Sequence, residues 1–327
     1  MSQCEPERMG IGLVGVGRHG RRYLSHILTD VPGASLAAVC RRRIEQPDPS
    51  LPTVPVYGDY REMMADSRVQ AVTVVTVPSL CHDICLAAVH AGKPVLIEKP
   101  LATTGKEARA MVAAAESERV LLMTAHTMRF DPAILLVKEL LPSLGRLREA
   151  AFTSHIESSA SLMDRTAREA SPGAMLELGV HLLDLVRFLT GEEALEVSCT
   201  MDRLKGAGER AARARLQTAG GIVCALDIAR TDSGRIGTMQ WNGAEGTVTA
   251  DWIQRRVVRQ RRGESPRTWM VEATPTIVGV LRSFVHAIKT GTTPPVTGLD
   301  GCRAVELVDA CYESAEAGGV SVRLNPV

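Results

Sequence analysis

The chain has 327 residues, 45% apolar and 23% charged, the composition of a water-soluble globular protein with room for two domains of ordinary size. A formal net charge of +1 provides no long-range field to gather nucleic acid or an anionic membrane, so a small neutral or anionic ligand is the partner class left open. The eight cysteines include no C-x-x-C pair and several sit inside apolar runs, which reads as buried reduced thiols and excludes a disulfide framework.

From Gly10 to about Ala125, short aliphatic runs alternate with helical patterns, the signature of a parallel sheet covered by helices. The expected strands are Ile11 to Val14, Leu36 to Val39, Ala71 to Val75, Pro94 to Ile97 and Val120 to Met123. Helices fit Arg18 to Leu28, Leu80 to Ala91 and Thr104 to Ser117, the last with Thr103 or Thr104 as N-cap. Beyond Phe130-Asp131-Pro132 come a helix to Leu141, a strand from Arg148 to His155, a polar stretch from Glu157 to Ser171, and a helix from Met175 to Leu189 closed by Gly191. Six strand-like runs then follow between Leu195 and Arg261, which predicts a largely antiparallel open sheet, and helices at Ile277 to Lys289 and Cys302 to Ala317 complete the chain.

The fold class is therefore α/β. Residues 1–125 form a Rossmann dinucleotide-binding domain and 126–327 a substrate-binding and oligomerisation domain, its last helix free to return to the first. Met1 to Met9 is no signal peptide and no segment reaches about 18 uninterrupted apolar residues, so a cytoplasmic location is expected by default. The Arg-rich segment Arg255 to Arg262 has no interleaved aromatics and alternates like a half-exposed strand, which favours a solvated sheet face over nucleic-acid binding.

Three constellations carry chemistry. Gly15-x-Gly17-x-x-Gly20 follows a strand and opens a helix: Gly15 permits the tight turn, Gly17 the approach of a pyrophosphate, and Gly20 close helix packing. Arg18 and His19 lie within this turn and count as cofactor contacts. At the end of the second strand, where an acidic residue normally binds a ribose 2′-hydroxyl, the chain reads Cys40-Arg41-Arg42-Arg43, with no carboxylate before Glu45. Guanidinium groups there suit a 2′-phosphate, which favours NADP(H) over NAD(H).

The second constellation is Glu98-Lys99-Pro100, which closes an apolar strand at its carboxyl edge, where open α/β sheets bind ligands; Pro100 biases Lys99 toward extended backbone. The third is Glu177-x-Gly179-x-His181-x-x-Asp184. On an α-helix Glu177 and His181 are i and i+4 neighbours, with Asp184 one turn further, a pairing suited to acid/base work. No second His stands at i+4 and no Cys in the segment, so no metal site is expected.

Together these pieces resemble the Gfo/Idh/MocA family of oxidoreductases, named for glucose-fructose oxidoreductase, inositol dehydrogenase and the rhizopine-catabolism protein. The likeness rests on Gly15 to Gly20, Thr76-Val-Pro78-Ser-Leu-Cys-His82, Ala91 to Ala102, Arg129-Phe130-Asp-Pro132, Glu177 to Asp184, Gly243 to Thr247 and Tyr312 to Gly318, and spans almost the whole chain. By resemblance, Lys99 and His181 form the catalytic pair, Lys99 hydrogen-bonding the reacting oxygen and His181 exchanging its proton. Glu177 stands where the family usually has Asp, one methylene shorter, and is counted with them. Thr76, Pro78 and Glu98 match positions lining the nicotinamide; His82 belongs to the same motif and counts as a cofactor contact, although bracing its helix is the simpler role. His126 falls in the interdomain loop that faces substrate, beside Lys99, Glu177 and His181. Glu157, Arg165 and Arg168 lie in a stretch where the matching fails.

The implied activity is hydride transfer between nicotinamide and a hydroxyl or keto carbon of a sugar, cyclitol or similar small polyol, in a homodimer or homotetramer assembled through the second sheet. The alternatives are a dinucleotide-binding sensor without turnover, and a lyase or glycosidase that uses NAD without net redox change.

Overall fold

The computed structural model describes residues 8–45, 48–49, 51–157, 173–203 and 208–324. Arg165, Arg168 and Cys4 lie outside the described residues. The aliphatic runs of the first part become β1 (Met9–Val14), β2 (Ala34–Cys40), β3 (Val56–Tyr57), β4 (Ala71–Val74), β5 (Val95–Glu98) and β6 (Leu122–Ala125), interleaved with α1 (Gly20–Thr29), α2 (Tyr60–Ala65), α3 (Pro78–His90) and α4 (Gly105–Ser117). All pairings are parallel, in the order β3-β2-β1-β4-β5-β6. Every residue of β1, β4, β5 and β6 is buried, because a parallel sheet is covered on both faces. The strand order reverses beside β1, between the carboxyl ends of β1 and β4, the place where such sheets hold a ligand.

Helix caps follow the sequence. Thr104 Oγ1 accepts from Glu107 N–H at 3.2 Å, while Glu107 returns a carboxylate oxygen to the Thr103 hydroxyl at 2.6 Å. Two elements were not anticipated, β3 with two residues and the short α2, which starts at Asp59, whose side chain accepts from Arg61 N–H at 2.8 Å.

The second part comprises α5 (Pro132–Leu140), β7 (Leu147–Glu157), a π-helical turn (Met175–Gly179), α6 (Val180–Thr190), and the strands β8 (Ala194–Arg203), β9 (Glu209–Thr218), β10 (Val223–Thr231), β11 (Ile236–Gly243), β12 (Gly246–Asp251), β13 (Arg256–Arg261) and β14 (Arg267–Met270). After α7 (Thr276–Thr290) and α8 (Gly298–Glu316), β15 (Val322–Arg323) adds to β8. The nine strands run β14-β13-β12-β11-β7-β10-β9-β8-β15, antiparallel throughout except for β7 beside β10. Alternation sorts the faces: Leu216, Leu226, Phe152, Met239, Val248 and Val257 point into a core shared with α5 and α6, where Phe152 and Trp241 meet edge to face at 5.6 Å. On the opposite face the register aligns Arg215, Ala225, Ala151, Gln240, Thr249 and Val258, mostly small or polar and at least partly exposed.

Two compact units result. The described residues up to Thr127 group with Pro275–Arg303, and Met128–Thr274 groups with Ala304 onward. The boundary thus falls two residues after the expected 125, and α7 with the first turns of α8 belongs to the first unit, where Arg282 donates to the Asp30 carbonyl at the end of α1 (2.9 and 3.1 Å). Among the described residues no helix is long and apolar enough to cross a membrane. The seven described cysteines are buried free thiols, and burial pushes Cys81 and Cys85 up to about 12.

Ser314 of α8 holds the edge of the second sheet: fully buried, its hydroxyl accepts from Cys199 N–H of β8 at 2.8 Å and donates to the Val320 carbonyl at 2.7 Å. Ser314→Ala strands a buried N–H and a carbonyl, and is expected to lower unfolding free energy by about 1–3 kcal/mol in urea titrations while nucleotide affinity stays unchanged.

Candidate active site

The glycine turn is built for close approach. Gly15 has φ +92°, and a Cβ there would lie 2.2 Å from the Val75 carbonyl; a Cβ at Gly20 would lie 2.1 Å from the Gly15 carbonyl. These two glycines let α1 seat against β1 and β4. Gly17 faces open space, with nothing within 4 Å of a Cβ position, so a backbone cradle is presented where a pyrophosphate would sit. The residues present therefore fit a dinucleotide. Val77 and Leu80, exposed at the start of α3, add apolar surface at the switch point, next to Thr76 and Pro78.

Glu98 ties this turn to the end of β5. Its side chain is 8% exposed, and Oε1 accepts from both His19 Nε2 and the Tyr23 hydroxyl, each at 2.7 Å. Burial pushes its pKa up, but the His19 hydrogen bond, the charge of neighbouring Lys99 and the Tyr23 hydrogen bond outweigh that and hold it below the ordinary carboxylate value. Burial first, then the Glu98 charge, raises Tyr23 well above its usual range, so Tyr23 stays a neutral donor. Glu98, expected to line the nicotinamide, is thus a brace beneath it, with His19 the half-exposed member of the pair. Lys99 follows, partly exposed, and the Lys99-Pro100 peptide is cis.

At the far end of the cradle Gly15 N–H donates to the Cys40 carbonyl at 2.9 Å, which places Arg41 directly beside the turn. Arg18 and Arg42 are exposed. Arg41 lies 3.5 Å from a carboxylate supplied by Asp48, which Arg21 of α1 also grips at 2.6 Å; sequence reading missed both partners. His82 pairs with Asp83 on α3 at 3.0 Å, a helix-surface contact. His126 is 1% exposed, so the structure encloses a side chain expected to meet substrate.

In the second unit the π-turn corrects the expected geometry of Glu177 and His181. Val180 N–H donates to the Met175 carbonyl, an i→i+5 bond, so Glu177 stands on a wider turn and His181 on α6, not on one continuous α-helical face. The start of the turn is anchored by buried Glu209, whose Oε1 accepts from Met175 N–H at 2.7 Å and the Tyr312 hydroxyl at 3.0 Å. Glu177 is held by Arg230 at the end of β10: Nε donates to Oε2 at 3.0 Å and Nη2 to the same oxygen. Arg230 is 7% exposed and on the core face of its strand, two residues past Ile228. Asp184 does not join an acid/base cluster; it is 1% exposed and clamped by Arg129 at 2.9 and 2.6 Å, linking the Arg129-Phe130-Asp-Pro132 motif to α6. Arg230, Arg129 and Glu209 were invisible to local pattern, because each partner lies 34 or more residues away.

A nucleotide cradle at the switch point of a parallel sheet, followed by a domain of one large, mostly antiparallel sheet carrying Glu177 and His181, defines a two-domain, dinucleotide-dependent oxidoreductase. A family model described as oxidoreductase family, NAD-binding Rossmann fold, matches residues 9–126, and the model of the Gfo/Idh/MocA C-terminal domain matches residues 134–249; the chain belongs to that family. D-apiose dehydrogenase of Paraburkholderia graminis is 27% identical, over 94% of this chain and 87% of that protein. Inositol 2-dehydrogenase 2 of Saccharopolyspora erythraea is 26% identical over 96% and 95% respectively. The fold matches the crystal structure of an oxidoreductase domain protein from Kribbella flavida with a TM-score of 0.87, at 24% identity, covering 98% of this chain and all of that one.

Two outcomes are expected. A carboxyl whose folded pKa lies below its unfolded value of about 4.3 stabilises the fold above that pH and loses the contribution as pH falls. Glu98→Gln is therefore expected to lower Tm at pH 7 and to flatten its fall between pH 6 and 4; equal slopes in both proteins would contradict the assignment. Arg230→Met releases Glu177, and kcat/KM is expected to drop on the order of 10–100-fold, with an altered pH–rate profile and partial recovery in Arg230→Lys.

Proposed function

We propose that the protein is an NADP(H)-dependent oxidoreductase acting on a hydroxyl or keto carbon of a sugar, cyclitol or similar small polyol. The observation that carries this reading is the joining of the open Gly17 cradle to Lys99 through Glu98, with Arg41 at the opposite end of the same cradle. Bound nicotinamide supplies the hydride acceptor or donor. Gly15, Gly17 and Gly20 receive the pyrophosphate, Arg41 and Arg42 the 2′-phosphate, and Thr76 and Pro78 the nicotinamide end. Lys99 donates a hydrogen bond to the reacting oxygen and stabilises negative charge there. His181 takes up or returns the hydroxyl proton. Glu177, kept anionic by Arg230, accepts from a substrate hydroxyl and orients the ring. The names of the similar proteins, D-apiose and inositol dehydrogenases, support a polyol of this size. The small, polar outer face of the second sheet, with its unpaired edge at β14, favours a homodimer or homotetramer that covers it.

The test is titration with NADPH and NADH by nicotinamide fluorescence, followed by a screen of inositols and aldoses for change in nicotinamide absorbance. NADPH is expected to bind and Arg41→Asp to weaken it; Lys99→Ala and His181→Ala are each expected to retain nucleotide and lose about 10²–10⁴-fold in kcat. Tight binding without turnover on any polyol would favour a sensor, and conversion without net redox change a lyase.

A further inference from the structure

Asp48 lies between β2 and β3, beyond the arginines that follow β2. Its side chain is only 6% exposed, because Arg21 of α1 clamps it through two hydrogen bonds, Nη1 to Oδ1 at 3.2 Å and Nη2 to Oδ2 at 2.6 Å, and Arg41 approaches Oδ2 at 3.5 Å. Arg41 is itself 15% exposed, and its backbone N–H is fixed by the Tyr57 carbonyl at 2.9 Å. One carboxylate is thus enclosed by two guanidinium groups at the end of β2. In a Rossmann domain this is the place where an acidic residue holds the ribose diol or an arginine accommodates the 2′-phosphate. Here both groups are present and face each other.

We propose that Asp48 sets the choice between NAD(H) and NADP(H): it offsets the charge of Arg41 and accepts from an unphosphorylated ribose 2′-hydroxyl, so that the site takes both nucleotides. This rests on the nucleotide-binding reading above and narrows its preference for NADP(H). A 2′-phosphate must enter beside an anion that already occupies the bidentate face of Arg21, and the repulsion weakens NADPH where NADH meets none. Removing the Asp48 charge leaves Arg21 and Arg41 to clamp the phosphate together. Removing Arg21 leaves the Asp48 anion compensated by Arg41 alone and moves the preference the other way.

The experiment titrates wild type, Asp48→Asn and Arg21→Met with NADPH and NADH, and with the fragments 2′,5′-ADP and ADP, by calorimetry and thermal shift. In wild type both dinucleotides bind with dissociation constants within about tenfold of each other. Asp48→Asn is expected to tighten NADPH and 2′,5′-ADP about tenfold, with a steeper salt dependence, while NADH and ADP bind no more tightly. Arg21→Met, whose replaced side chain is half exposed, is expected to shift the ratio toward NADH. An NADPH to NADH ratio unchanged in both variants overturns the inference and leaves the nucleotide reading standing; failure of wild type to bind any of the four probes overturns the reading itself.

Discussion

Glu98 is an anion almost without water, and it persists there because three groups from two places in the chain face it. His19 and Tyr23 reach it from the glycine turn and α1, and Lys99 lends its charge from the next residue. The cost of burying a carboxylate is several kcal/mol unless hydrogen bonds and a counter-charge offset it, so the pairing is obligatory for both segments. Its consequence is geometric. The pyrophosphate cradle and the lysine that ends β5 are held to one another by the same oxygen atom, and neither moves without disturbing the other.

The second unit uses the same device. Arg129 with Asp184, Arg230 with Glu177, and Glu209 with Met175 N–H and Tyr312 each place a charged side chain of low exposure against a partner that fixes α6 or the turn before it. Replacing Asp by Glu at position 177 adds a methylene, and here the longer side chain is engaged by an arginine from the floor of the sheet. The wide π-turn and the arginine together determine where the carboxylate stands, which makes the acid/base geometry a property of the whole second sheet.

Much of the fold was legible in the sequence because its signals are local. Strands buried on both faces appear as unbroken aliphatic runs, as in Ile11 to Val14 and Ala71 to Val74, and Thr104 and Gly191 mark helix ends with the residues such ends require. β14 escaped because an edge strand with Arg267, Thr268 and Met270 exposed has no apolar face to show, and β3 because two residues make no pattern. The glycine cradle and the lysine at the edge of β5 were also readable, since each motif defines its own backbone. What could not be read were the ion pairs: Asp48 lies 27 residues from Arg21, and Arg230 lies 53 from Glu177, so only folding brings them together. The same limit explains the π-turn, whose residues Met-Leu-Glu-Leu-Gly read as ordinary helix until Glu209 and Arg230 are in place.

The central claim is that one cradle, fastened through Glu98, delivers a dinucleotide to Lys99. A crystal structure of the full chain grown with NADPH tests it most directly. The account predicts the pyrophosphate against the Gly17 backbone, the 2′-phosphate beside Arg41 and the nicotinamide ring next to Lys99, with the His19, Tyr23 and Glu98 contacts intact. A nucleotide bound away from Gly17, or one whose nicotinamide points away from Lys99, would contradict it.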